Sequence, residues 1–244
     1  MKMNTIGIKM NTIGRIVLFM ISYFIIIGIF QYVGIIIADV DITDSENTKS
    51  SIQQLTISVF DLFGTFLLLY LFMKFVDKEQ FIKLGFQTKN RLKEFVSGII
   101  LGLVVMMLGY LLLIYFEEVW FLKVNFNFNE LMISILLFTI VAIVEEVLFR
   151  GYILKNLMSS FNKYIALFFS SVLFSLIHSF NPNIDMFSLL VLFLAGIVLG
   201  LSYINTKNLW FPIALHLSWN LFQTLLGFNI SGQDTYSIIE FQIN

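Results

Sequence analysis

The chain has 244 residues, 58% of them hydrophobic and only 13% charged, with a mean hydropathy of +0.88 and a net charge of −1. A soluble domain carries about twice that share of charge, and the uncharged runs here reach membrane-spanning length, so one polytopic helical bundle is expected, with no room for a soluble domain. No basic cluster points to a nucleic-acid partner, and zero cysteines exclude disulfides, thiolate metal sites and cysteine nucleophiles.

At the N-terminus, Lys2-Met-Asn-Thr-Ile-Gly-Ile8 is nearly repeated as Lys9-Met-Asn-Thr-Ile-Gly-Arg15. A short tandem duplication or alternative start codons account for it, and no function attaches to it. The next stretch, Ile16 to Ala38, holds 23 uncharged residues and no Ala-x-Ala-like cleavage site, which favours a retained span over a cleaved signal peptide. Seven spans are predicted in all: about 16–38, 55–76, 95–116, 131–150, 164–181, 186–205 and 209–228. The expected fold is an all-α polytopic transmembrane helical bundle of about seven spans, eight helices at most. The expected division is 1–130 for three N-terminal spans, 131–228 for a four-span core, and 229–244 for a tail. Gly28, Gly34, Gly64, Gly98, Gly102, Gly109, Gly196 and Gly200 fall inside spans and read as sites of close helix packing. Asp61, inside span two, reads as a hydrogen-bonded interior aspartate.

The basic residues set the expected orientation. With the N-terminus inside, the inner segments hold Lys2, Lys9, Arg15, Lys74, Lys78, Lys83, Lys89, Arg91, Lys93, Arg150, Lys155, Lys163 and Lys207, and the outer ones only Lys49 and Lys123: thirteen against two. The loop after span one is acidic (Asp39, Asp41, Asp44, Glu46) and is placed outside, as is the C-terminal tail. The longest inner loop, Asp77 to Glu94, contains Phe81-Ile-Lys-Leu-Gly-Phe86, which fits either a short interfacial helix or a solvated loop. The expected location is a cell membrane, crossed several times, with lipids as the immediate partners.

The polar residues inside spans carry the chemistry, because ionisable groups at membrane depth are expensive. Span four ends in Glu145-Glu146-Val-Leu-Phe-Arg150. Helical neighbours point about 100° apart, so the two carboxylates diverge. Glu146 and Arg150, four apart with the acid first, suit an ion pair, which leaves Glu145 free. The chain has only two histidines: His178, one turn from Phe174 in span five, and His216, one turn from Asn220 in span seven. Glu145 and His178 are each 16.5 positions from a turn centred between Phe161 and Asn162. In an antiparallel hairpin they would share one depth, provided span four continues as helix past Arg150. His216 is only about ten positions from its own turn near Thr206, so it joins them only if that turn protrudes less.

A partly buried carboxylate suits a general base near neutral pH. Glu145, steered by His178, is a candidate to activate water against a peptide carbonyl, with His216 and Asn220 donating to the developing oxyanion. No serine nucleophile motif and no Gly-rich phosphate loop is present. Zinc has a minimal ligand set in Glu145, His178 and His216, without a His-Glu-x-x-His helix, so no cofactor is expected.

These three motifs resemble the CAAX-protease and bacteriocin-processing family (CPBP, or Abi), marked by Glu-Glu-x-x-x-Arg, Phe-x-x-x-His and His-x-x-x-Asn/Asp. They stand here as Glu145-Glu146-x-x-x-Arg150, Phe174-x-x-x-His178 and His216-x-x-x-Asn220, and the likeness covers roughly Leu131 to Leu226. The resemblance implies an intramembrane endopeptidase whose site opens towards the cytoplasm. It gives Glu145, His178, His216 and Asn220 the catalytic roles and Glu146 and Arg150 supporting ones. It also implies a membrane-associated peptide substrate and a role in bacteriocin self-immunity or in peptide and pheromone processing. The family has been described both as metalloproteases and as metal-independent glutamate proteases; the poor ligand set favours the second. Two other classes compete: a non-catalytic immunity or scaffold protein, and a proton-coupled transporter using Asp61 with the buried carboxylates.

Overall fold

The structure, a computed structural model, describes residues 11–41, 49–232 and 235–244. Lys2, Lys9, most of the N-terminal near-repeat, Asp44 and Glu46 lie outside the described residues.

Polar caps start most of the helices. Asn11 accepts from the Gly14 amide and opens α1 (Thr12–Ile37), and Ser50 with Gln53 forms a reciprocal capping box for α2 (Ser51–Leu71). α2 runs on as a π-helical turn, Phe72–Asp77, and a short 3-10 helix, Phe81–Leu84, leads to α3 (Leu92–Tyr115). Asn127 caps α4 (Phe128–Glu146). This helix does not stop at Arg150. It widens into a π-helical segment, Val147–Leu154, and ends in a last α-turn, α5 (Lys155–Met158). Asn162 caps α6 (Lys163–Ile177), which closes in a 3-10 turn, His178–Phe180. Asp185 caps α7 (Met186–Thr206), and α8 spans Trp210–Leu225 with Pro212 in its first turn, where a missing amide costs nothing.

Six of these rods are long and apolar enough to cross a membrane: Thr12–Ile37, Ser51–Asp77, Leu92–Tyr115, Phe128–Met158, Lys163–Phe180 and Met186–Thr206. The seventh expected span differs. α8 has 16 residues, about 24 Å at ~1.5 Å per residue, short of a bilayer core of ~30 Å. Its apolar residues face protein rather than lipid: Ile213, Ala214 and Leu215 are buried, and α3, α4 and α7 pack around the helix. The approach of α3 needs two glycines. A Cβ on Gly98 would stand 2.8 Å from the Ala214 Cβ, and one on Gly102 would stand 2.7 Å from the Ser218 Cβ.

One apolar core joins the N-terminal helices to the later ones. Phe19 of α1 stacks on Tyr152 of the π segment, with centroids 4.1 Å apart, and Leu68, Leu69 and Met73 of α2 join the same cluster. All eight residues of the π segment are buried.

The helix ends sort into two faces. At one, Arg15 pairs with Asp77 at 2.7 Å, Lys155 pairs with Glu79, and the Asn208 amide donates to the Gln87 carbonyl at 2.7 Å. At the other, β1 (Val119–Val124) pairs antiparallel with β2 (Ile239–Ile243), two short strands that an all-α reading does not contain. Asn181 and Asn183 donate to the Ser231 and Gly232 carbonyls beside them, at 3.2 and 3.1 Å. The loop after α3, the turn after α6 and the C-terminal tail are thus neighbours, as alternating spans require.

Candidate active site

The three motifs meet. From α4, Glu145 points its Oε2 between two imidazoles, 3.7 Å from His178 Nε2 and 3.8 Å from His216 Nε2. The depth matching of Glu145 and His178 holds because α4 does continue through the π segment to Met158. The condition on His216 is met as well. The α7–α8 turn is recessed: Leu209 and Asn208 are fully buried, and the Leu209 amide donates to the Gly85 carbonyl at 2.9 Å.

Each imidazole is held from behind. His178 Nδ1 lies 2.7 Å from the Phe174 carbonyl, which can only accept, so Nδ1 carries a proton. His216 Nδ1 lies 2.8 Å from Glu146 Oε1, and the same oxygen accepts from Arg150 Nη1 at 2.8 Å. In both rings Nε2 is the nitrogen that faces Glu145. The Glu146–Arg150 pair is sealed, at 0% and 1% side-chain exposure, and Arg150 also donates to the Gly196 carbonyl at 3.3 Å. Beneath it, the guanidinium lies 4.4 Å from the Phe174 ring centroid, and that ring is 4.8 Å from His178. Phe174 is thus the shared floor of the cluster. Asn220, one turn past His216, is buried against the same space, and its amide makes no hydrogen bond among the described residues.

The spacing of Glu146 from Arg150 announces their ion pair. Its bond to His216 does not appear in any local spacing, because the partners are seventy positions apart. The two carboxylates do diverge, yet both reach one imidazole, at its two different nitrogens.

The cluster borders a cavity of ≈ 1250 Å³ between α1 and α2 on one side and α4, α6, α7 and α8 on the other. Glu145 keeps 23% of its side chain exposed, whereas its Oε2 is buried and has no hydrogen-bond partner among the described residues. The facing wall carries Asp61, whose Oδ2 accepts from Gln31 at 3.3 Å and whose Oδ1 accepts from Thr65 at 3.4 Å. Among the described residues, no group of three or more His, Cys, Asp or Glu side chains stands in metal-holding geometry. Glu145 Oε2 stands 3.7 and 3.8 Å from the Nε2 atoms of His178 and His216.

Fold and site together define a multi-pass helical membrane protein with a buried carboxylate–imidazole cluster at the wall of an internal cavity. Residues 127–222 match the family model of type II CAAX prenyl endopeptidase Rce1-like proteins. The match takes in all three motifs and supports a CAAX-type intramembrane endopeptidase in general. No curated protein and no solved structure matches the chain.

Proposed function

We propose that the protein hydrolyses a peptide bond in a membrane-associated peptide or protein, with Glu145 activating the attacking water. The observation that carries this reading is the convergence of Glu145, His178 and His216 from three separate helices at the wall of one cavity. In this scheme a water lies against the cavity side of Glu145, steered by His178. As the water oxygen bonds to the carbonyl carbon, its proton passes to Glu145. The carbonyl oxygen becomes an oxyanion, and the Asn220 amide donates to it, as does an Nε2–H that His216 holds before and after the step. The carbon–nitrogen bond then breaks and Glu145 returns the proton to the leaving amine. Glu146 and Arg150 do not touch substrate. Glu146 fixes the orientation of the His216 ring as a second carboxylate does for a catalytic imidazole, and Arg150 holds Glu146 in its buried position.

The catalytic core in this proposal is 131–228. The physiological role is processing of a peptide or pheromone precursor, or self-immunity to a bacteriocin. No step is routed through a metal ion. A chelator applied to purified active protein tests that choice, and loss of activity restored by added zinc would overturn it.

The test of the function is co-expression with a candidate peptide precursor. Glu145→Ala and His178→Ala each abolish cleavage or immunity while the protein is still inserted. Activity that survives both substitutions sinks the protease reading. A proton-coupled transporter is the second reading, favoured by Asp61 sharing the cavity with Glu145. Substrate-driven proton uptake that survives Glu145→Ala and fails in Asp61→Asn would establish it.

A further inference from the structure

Two carboxylates line the cavity, and the hydrolytic scheme uses only Glu145. The other, Asp61, stands on α2 in the facing wall and is partly exposed. Its partners are neutral. Gln31 of α1 donates to Oδ2 at 3.3 Å, and Thr65, one turn along α2, donates to Oδ1 at 3.4 Å. Both bonds are longer than the usual ~2.9 Å. A carboxylate offers about four lone pairs, so two hydrogen bonds leave others for a donor from the cavity. Asp61 belongs to none of the ion pairs among the described residues.

No cation of the protein is placed to complete this group. Among the described residues, Lys49 is the one lysine or arginine that lines the cavity. It precedes Asp61 by twelve positions, about 18 Å along α2 at ~1.5 Å per residue, beyond the reach of a lysine side chain. The depth of Asp61 relative to Glu145 follows from the stack of Phe19 on Tyr152, which sets one level on α1 and on the continuation of α4. Gln31 lies twelve positions past Phe19, and Glu145 lies seven positions before Tyr152, both towards the β1–β2 face. The Asp61–Gln31 pair therefore stands roughly 8 Å further along the bundle axis than Glu145 at ~1.5 Å per residue. That offset equals two to three residues of an extended chain at ~3.3 Å each.

We infer that Asp61, held by Gln31 and Thr65, is a specificity subsite for a basic side chain of the peptide substrate, a lysine or arginine two or three residues from the scissile bond. This rests on the proposed peptidase reading. A carboxylate in a cavity bounded by apolar helices is costly without a cation or a full set of hydrogen bonds. A substrate ammonium or guanidinium supplies both, with three N–H donors on lysine and five on arginine. Gln31 and Thr65 hold the carboxylate from α1 and α2 without neutralising it, so its charge is kept for what enters the cavity. A neutral side chain at the same position would leave Asp61 desolvated and unpaired, and the site would select against it.

The probes are short fluorescent peptides of leucine and alanine, acetylated and amidated at their ends, that differ only at the centre: lysine, norleucine or glutamate. Binding to the purified protein in phosphatidylcholine nanodiscs is followed by fluorescence anisotropy, with empty nanodiscs subtracted. The wild type is expected to bind the lysine peptide about tenfold more tightly than the norleucine peptide, the low end for one hydrogen-bonded charge. Asp61→Asn is expected to abolish that preference, and Asp61→Lys to transfer it to the glutamate peptide. Asp61→Asn is nearly isosteric and decides the matter even where Asp61→Lys does not fold. Equal wild-type affinity for the lysine and norleucine peptides overturns the inference, as does a lysine preference that survives Asp61→Asn; an aspartate that only ties α1 to α2 gives one of these results. A norleucine peptide with a free amino terminus that gains as much as the lysine peptide would assign the subsite to a terminal amine and overturn the side-chain assignment. The binding needs no catalysis. Peptides bound with the expected preference and never cut would refute the peptidase reading and leave the subsite standing, whereas Glu145-dependent cleavage indifferent to lysine would do the reverse.

Discussion

Two walls face each other across the cavity, and they are held very differently. On the α4–α6–α8 wall, the site's side chains hold one another in a chain: His178 on the Phe174 carbonyl, His216 on Glu146, Glu146 on Arg150, Arg150 on Phe174 and Gly196. On the α1–α2 wall, Asp61 has two long hydrogen bonds, at 3.3 and 3.4 Å, and sits in none of the ion pairs formed by the described residues. The first wall is preorganised, which is what transition-state stabilisation requires. The second is adaptable, which suits contact with a substrate of variable sequence. The comparison predicts a steep gradient of mutational effects from one wall to the other.

The largest effect belongs to the catalytic wall. Glu145→Gln keeps the shape and removes the base. It should lower turnover by about 10²–10⁴-fold, the usual contribution of a general base, with little change in thermal stability. Arg150→Met should do the reverse first. It leaves Glu146 charged and buried without its partner, a loss of about 3–5 kcal/mol in folding free energy. Thermal unfolding in detergent checks this, and an Arg150→Met protein as stable as the wild type would show that Glu146 is not held as described. Gly102→Val tests the support behind that wall. The added side chain meets Ser218 of α8, and overpacking of this kind costs about 1–3 kcal/mol. Its activity loss should follow its stability loss.

The same contrast explains what could be read from the sequence. The catalytic wall is written in short spacings, Glu146 to Arg150, Phe174 to His178 and His216 to Asn220, each one helical turn, so its members are recognisable on sight. The equal depth of Glu145 and His178 also follows from counting along a hairpin. What counting cannot supply is a contact between helices that are not hairpin partners. The His216–Glu146 bond, the recessed turn that brings His216 to depth, and the placement of Asp61 across the cavity all depend on packing angles. Hydropathy does not distinguish lipid from protein, so it does not show that α8 runs between the two faces packed among α3, α4 and α7. The β1–β2 pair is not legible for a related reason: its strands are separated by more than a hundred residues and neither has a hairpin turn.

On the facing wall, Asp61→Asn keeps the two hydrogen bonds within reach and removes one charge. Neutral hydrogen bonds of this length contribute about 1 kcal/mol or less, so stability should barely move. Any change in cleavage should appear in KM for particular substrates rather than in kcat. A general collapse of kcat would place Asp61 with the catalytic cluster and erase the distinction between the walls.

The smallest effect is expected away from both walls, at the end of the bundle where Lys155 meets Glu79. The hydrogen bond from Lys155 holds the Glu79 carboxyl below its ordinary value of 4.5. A depressed carboxyl contributes stability that is present above its unfolded value and lost as pH falls through the folded one. Glu79 is only half-buried at most, so solvent screening limits the pair to about 1 kcal/mol or less. Glu79→Gln should therefore lower the unfolding temperature slightly at pH 7, and the difference should shrink as the pH falls through 4.5 and below. Cleavage at pH 7 should be unchanged, because the buried π segment stands between this pair and the cavity. A substantial loss of activity in Glu79→Gln would mean that the π segment couples this pair to the site rather than separating them.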